Sequence, residues 1–380
     1  NFTGNLQFPM LDDYDVLNAA EKLEYERLAG LYDAKGAISS ETGLPLQYEY
    51  DEIYNSRYKL IAAGLNSDWL SQPARIAFSN DHSLRVYGGA SNLRYELTGR
   101  FGDTRGVMKD DYRKRYNLGF KLDYYVGTLT LSNRTTYQEV STKDTPYGSF
   151  SQYVWMNPYD RIYNEDGTLN TDLTWDLDNP LYEATLGSFS KSGTRTLSNS
   201  IDLRWDISKM FLVTGHFNLS SDMGSNDIFT SPKSLTYKKE TDLSKKGQYT
   251  KGISQGVSYN GNLVGTFNKF FDDESLISAN AGWEINHSEA SSKTMQAIGF
   301  FNDKNSYIGN AASYPSGDKP YGSLSESADV GVFITGNASW RNRYFVDGTW
   351  RTTGSSQFGE NNRYGHFWSG GLGWNILNEP

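Results

Sequence analysis

From about residue 82 onward, apolar and polar positions alternate along the chain. Leu93, Tyr95, Leu97 and Phe101 share one parity, against Arg94, Glu96 and Arg100 on the other. Tyr116, Leu118, Phe120, Leu122 and Tyr124 repeat the pattern against Asn117, Gly119, Lys121 and Asp123. Ile201, Leu203, Trp205 and Ile207 do so against Asp202, Arg204 and Asp206, and Val330, Val332, Ile334, Ala338 and Trp340 form a later set. A period of two is the mark of strands with one apolar and one wet face, and counting residues 1–8 it predicts about twelve of them. One stretch reads as a helix. Leu17 to Glu26 is rich in helix formers, with Asn18 and Glu21 spaced as a capping box.

The connections alternate in length. Short turns are expected near Gly89–Asn92, Tyr125–Thr128, Asp206–Met210, Phe270–Ser275 and Arg341–Arg343. Long polar connections are expected at 9–81, 103–112, 141–193, 221–253, 287–328 and 352–363. Placing the long loops at one end is characteristic of an outer-membrane barrel, with short periplasmic turns and long extracellular loops. Each strand has at least the roughly 9–11 residues needed to cross a bilayer at a tilt. No run approaches the roughly 18 apolar residues of a membrane helix.

Composition fits this reading. Apolar residues make up only 37%, yet the chain holds 27 Tyr, 19 Phe, 9 Trp and 37 Gly. Aromatics and glycine in place of aliphatic residues suit strands with a wet face and an interfacial aromatic belt. The net charge of -9 argues against a nucleic-acid partner. The absence of cysteine excludes disulfides and thiolate metal sites.

Little in the chain points to covalent chemistry, and no enzymatic activity, metal or cofactor is expected. Asp81, His82 and Ser83 are adjacent, so on a strand they point to opposite faces and cannot form a triad together. The four histidines, His82, His216, His287 and His366, lack metal-ligand spacing. Asn164, Asp166, Gly167, Asn170 and Asp172 read as a turn, with a calcium loop as the alternative. Asp272-Asp273-Glu274 and Lys238-Lys239-Glu240 read as solvated turns. The 141–193 loop is rich in aromatics, and Tyr153, Trp155, Tyr159 and Trp175 are the candidates for ligand contact.

The C-terminal segment carries a more specific signal: Arg351-Thr-Thr-Gly354-Ser355-Ser356-Gln-Phe358-Gly359, then Asn362-Arg363-Tyr364-Gly365-His-Phe-Trp-Ser369. It resembles a signature of SusC/RagA-like TonB-dependent transporters of Bacteroidota, with Thr353 and Trp368 where that family usually has Asp and Pro. Leu17-Asn18-Ala19-Ala20-Glu21, Asp68-Trp69 and the strand His82 to Gly88-Gly89 resemble further motifs of the family, in the same order.

The resemblance implies an all-β fold: a transmembrane antiparallel up-and-down barrel segment, with one loop helix and long extracellular loops. It would supply about twelve of the about 22 strands of such a barrel. Residues 1–8 would be the first strand, 9–81 a helix-containing extracellular loop and 82–376 the remaining strands and loops. The plug domain and the other strands would lie outside this chain. The implied function is active import of oligosaccharides or oligopeptides across the outer membrane. Implied partners are a SusD-like surface lipoprotein, the TonB-ExbB-ExbD complex, the bilayer with its lipopolysaccharide, and a second transporter–lipoprotein pair. A passive porin-type barrel and a secreted carbohydrate-binding β-protein are the alternatives.

Overall fold

The computed structural model describes residues 1–272 and 274–378. Asp273, in the acidic run noted above, lies outside the described residues. Twelve strands form one sheet in strict sequence order, β1 through β12, each antiparallel to the next. They are β1 (Phe2–Gln7), β2 (Ala77–Ala90), β3 (Leu93–Thr104), β4 (Tyr112–Val126), β5 (Leu129–Lys143) and β6 (Phe189–Asp206). There follow β7 (Phe211–Thr230), β8 (Gln248–Phe270), β9 (Leu276–Ile298), β10 (Tyr321–Trp340), β11 (Tyr344–Ser355) and β12 (Tyr364–Trp374). This is the expected up-and-down wall.

The register makes the two faces explicit. Val86 stands opposite Leu97, Leu97 opposite Phe120, and Leu203 opposite Leu131. Val332 stands between Trp283 and Thr352. One face of the sheet is therefore apolar over all twelve strands, and it is uncovered: Leu84 is 68% exposed and Leu372 88%. A sandwich would bury this face under a second sheet, and the described residues contain none. A membrane barrel turns it to lipid.

The short turns fall where the sequence places them. In the β4–β5 turn Gly127 takes the left-handed φ of 57° that only glycine adopts freely. The long connections need correction. β7 to β10 are 20, 23, 23 and 20 residues long. Residues 221–230, 248–253, 287–298 and 321–328, expected in loops, belong to paired strand. These four strands run well past the roughly 9–11 residues that span hydrocarbon. Their outer parts lie beyond the hydrocarbon, with polar surroundings on both faces, so the apolar alternation that reveals a strand fades there.

The expected loop helix is present as α1 (Ala19–Leu28). The Asn18 side chain accepts from the Glu21 N–H at 3.0 Å, and the Glu21 carboxylate accepts from the Asn18 N–H at 2.9 Å. It is not the loop's sole helix. α2 (Gln47–Ala62) is longer, with Tyr50, Ile53, Tyr54 and Ile61 on the face that packs inward. Two short helices, α3 (Phe150–Val154) and α4 (Leu181–Ala184), lie in the loop between β5 and β6.

The buried clusters sit in the loops and at the strand ends that meet them, because a one-layer wall has no interior. Trp69, Leu70, Tyr153, Leu173 and Leu181 form one cluster. Ala19, Leu23, Tyr32 and Tyr159 form a second, and Phe229, Tyr249 and Phe300 a third.

Candidate functional site

Two surfaces are candidates for binding: the polar face of the wall and the shelf of long loops above it.

The polar face is electrically divided. On β2 to β5 it carries Arg85, Arg94, Arg100, Arg115, Lys121 and Arg134 against Asp81, Glu96 and Asp123. Arg85 meets Glu96 at 2.7 Å, Arg100 meets Asp81 at 3.1 Å, and Lys121 meets Asp123 at 2.8 Å. On β6 to β10 small hydroxyl and amide residues take over. Ser198, Ser220, Ser258, Ser288 and Ser327 stand in register across five consecutive strands. Thr136 on β5 continues the row, its hydroxyl 2.7 Å from that of Ser198. Below it come Ser200, Asn218, Asn260 and Asn286. Such a wall offers many weak hydrogen bonds and short side chains, the condition for binding that still allows release.

The shelf joins loops far apart in sequence. Glu26 of α1 is buried and accepts the Tyr159 hydroxyl at 2.8 and 2.9 Å and the Tyr32 hydroxyl at 2.9 Å. The Trp69 indole N–H donates to the Asn157 carbonyl at 2.9 Å, and the Ser67 N–H to the Pro158 carbonyl at 2.7 Å. Asp160 accepts from the Thr174 hydroxyl at 2.5 Å and lies 3.5 Å from Arg57 of α2. Burial raises the Asp160 carboxyl above its ordinary value, while Thr174 and Arg57 oppose the shift. Burial, with Glu26 beside them, likewise raises the Tyr32 and Tyr159 phenols. Farther along, Glu183 accepts from the Ser234 hydroxyl at 2.9 Å and the Leu235 N–H at 2.7 Å. Phe300 packs edge-on against Phe229 at 5.1 Å. The loops after β1, β5, β7 and β9 thus form one continuous layer.

The four aromatic candidates separate within this layer. Tyr153 and Tyr159 are buried in its clusters and have no free face for a ligand, so both are corrected to packing residues. The Tyr153 hydroxyl donates to the Tyr147 carbonyl at 3.0 Å. Trp155 is 77% exposed on the shelf. Trp175 is partly exposed, held in a left-handed turn with its ring 5.8 Å from that of Tyr32. In sequence all four are loop aromatics, and only the tertiary fold tells them apart.

The motif residues take places in turns and ladders. Ala19 is buried and its N–H donates to the Asn66 side chain, while Ala20 is exposed. Asp68 caps the Ser71 N–H at 3.1 Å. Gly88 lies under the Tyr95 ring, and Gly89 packs so tightly on Leu93 that a Cβ would fall 2.1 Å from the Leu93 carbonyl oxygen. Arg351 reaches across Gly331 to pair with Glu284 and donates to the Thr353 hydroxyl at 2.9 Å. Thr353 thus does serve Arg351. Gly354 is covered by Tyr364, and Gly365 pairs with Thr353. Ser355 donates its N–H to the Arg363 carbonyl, and Phe358 donates its N–H to the Ser355 carbonyl just before Gly359. Ser356 exchanges hydrogen bonds with the Ala328 backbone at 2.8 Å, pinning the crossover onto β10.

The remaining polar motifs are locally occupied. Asp166 turns back to accept the Thr168 N–H and hydroxyl at 2.9 and 2.6 Å, which makes 164–168 a tight turn. Asp81 faces the lumen side and His82 the apolar side, where it stacks between Phe2 and Phe101. Among the described residues, no group of three or more His, Asp or Glu side chains is arranged to hold a metal ion.

No protein-family model matches the chain. TonB-dependent receptor P3 of Formosa agariphila is 24% identical over 349 residues, 87% of this chain and 33% of that protein. TonB-dependent receptor SusC of Bacteroides thetaiotaomicron is 22% identical over 88% of this chain and 36% of its own length. The chain spans about a third of these curated relatives. The solved RagAB peptide transporter shares the fold over the whole of this chain and 44% of its own, with a TM-score of 0.67 at 16% identity. With the uncovered apolar face and the ordered motifs, these matches make the chain similar to part of the barrel wall of SusC/RagA-like TonB-dependent receptors of the outer membrane.

Proposed function

We propose that the chain is the wall of an importer that carries oligosaccharides or oligopeptides across the outer membrane. A SusD-like surface lipoprotein would close over the loop shelf, and TonB with ExbB and ExbD would supply the energy. The plug and remaining strands would come from sequence outside residues 1–380. The observation that carries the proposal is the continuity of the shelf with the hydroxyl and amide wall of β6 to β10. Cargo held at the shelf, with Trp155 and Trp175 offering aromatic faces, passes directly onto a surface of small hydrogen-bonding groups. The Arg-rich sector of β2 to β5 suits the plug, whose own charges would complete pairs that the wall leaves open. No bond is made or broken in the cargo, so binding, orientation and release are the whole of the chemistry.

The test is growth of a strain deleted for the full-length parent gene on single glycans and single peptides. A defect confined to one substrate and restored by the intact gene supports the proposal and names the cargo. Growth unchanged on every substrate would count against nutrient import.

A further inference from the structure

The outward face of the wall carries a basic pocket just where its apolar band ends. On β4 and β5 about ten residues, the length of one bilayer crossing, separate the Val126–Leu129 pair from the Tyr116–Glu139 pair. The next two outward rows therefore stand at the level of the outer-leaflet headgroups. In the nearer row Ser141, Gly193 and Ser225 lie side by side and leave a hollow of about 400 Å³. Lys191, Arg195, Lys251 and Tyr112 rim it.

Its two acids are already engaged. Lys251 donates to both oxygens of Asp227 at 2.7 Å, and the Tyr249 hydroxyl donates there at 2.6 Å. Glu139 accepts from Tyr137 at 2.7 Å and from Arg195 at 3.1 Å. In the farther row Lys143 stands directly opposite Lys191. Neither has a carboxylate within ion-pair distance among the described residues; Lys191 rests on the Phe189 ring at 4.4 Å. Like charges directly opposite one another weaken a ladder, and an anion between them removes the penalty. In a chain of net charge -9 this concentration of cations is local, not compositional.

We propose that the pocket binds the phosphate of a lipid A headgroup in the outer leaflet. Lys143 and Lys191 bracket the phosphate, and Arg195 and Lys251 border it. The location selects this occupant: the surface beside the outer end of a membrane wall meets headgroups, and basic pockets there attract anionic ones.

Native mass spectrometry of the detergent-purified full-length parent tests it, with monophosphorylated lipid A, the same lipid after phosphatase treatment, and phosphatidylglycerol as probes. Retention of phosphorylated lipid A above both others is expected. The Lys143→Gln/Lys191→Gln variant should lower it to the level of the dephosphorylated lipid. Lys143→Glu, which gives Lys191 a partner within the ladder, should fold and lose the lipid as well. Lys269→Gln, at the opposite rim of the same face, should change nothing. Equal retention of the dephosphorylated lipid, or undiminished binding by the folded variants, would overturn the proposal. Phosphatidylglycerol retained as strongly would overturn its assignment to lipid A.

Discussion

The Tyr159 hydroxyl donates to both carboxylate oxygens of Glu26 across 133 residues of sequence, in a site where neither side chain touches solvent appreciably. This contact ties the loop after β5 to the helix after β1 and makes one shelf of two loops. Tyr159→Phe leaves the ring in place and removes the donor. The shelf should lose about 1–3 kcal/mol, the cost of an under-satisfied buried carboxylate. Faster limited proteolysis of residues 144–188, with the barrel intact, is the expected result.

Asp160 gives the same shelf a pH dependence. Its carboxyl is raised in the folded state, chiefly by burial, so the fold binds that proton more tightly than the unfolded chain. The associated stabilisation is complete below the ordinary carboxylate range and is lost as pH rises through the raised value. Proteolytic protection of the loop should therefore fall across this window. Asp160→Asn, which cannot titrate, should flatten the profile; an unchanged slope would assign the effect to another group.

Trp155 and Tyr153 are two residues apart and should behave oppositely. Tyr153→Ala opens a cavity beside Trp69 and Leu173 and should cost about 3–5 kcal/mol in shelf stability. Trp155→Ala removes an exposed ring and should leave thermal stability unchanged while weakening cargo capture. Paired melting curves and uptake assays in the full-length parent separate the two.

The Arg351–Glu284 pair passes over Gly331, where a Cβ would lie 2.9 Å from the Glu284 side chain. Gly331→Leu should force the pair apart at an overpacking cost of about 1–3 kcal/mol. Glu284→Gln at the same solvent-accessible site should cost no more than about 1 kcal/mol. A lower heat-unfolding temperature for the first variant alone is the expected readout.

The membrane-crossing parts of the wall were legible because lipid on one side and water on the other impose a period of two. Leu118 and Lys121 announce their faces by parity alone. The outer halves of β8 and β9 were not legible. Segments such as Ser288 to Ser292 have polar surroundings on both faces, and composition there resembles a loop. The α1 cap was readable from Asn18 and Glu21. α2 was hidden by its tyrosines, although Tyr50, Ile53, Tyr54 and Ile61 keep a helical spacing that could have disclosed it. Tyr159 is buried against Glu26, 133 residues away, and Tyr153 in a cluster that joins Trp69 to Leu173 and Leu181, and no local pattern encodes either.

The most direct measurement is uptake of the cargo found by the growth panel, in cells with TonB and in cells from which TonB has been deleted, at equal levels of the full-length parent. Energised import through this wall predicts uptake that disappears without TonB while cargo still binds at the cell surface. Uptake that continues undiminished without TonB would contradict it and leave a passive barrel.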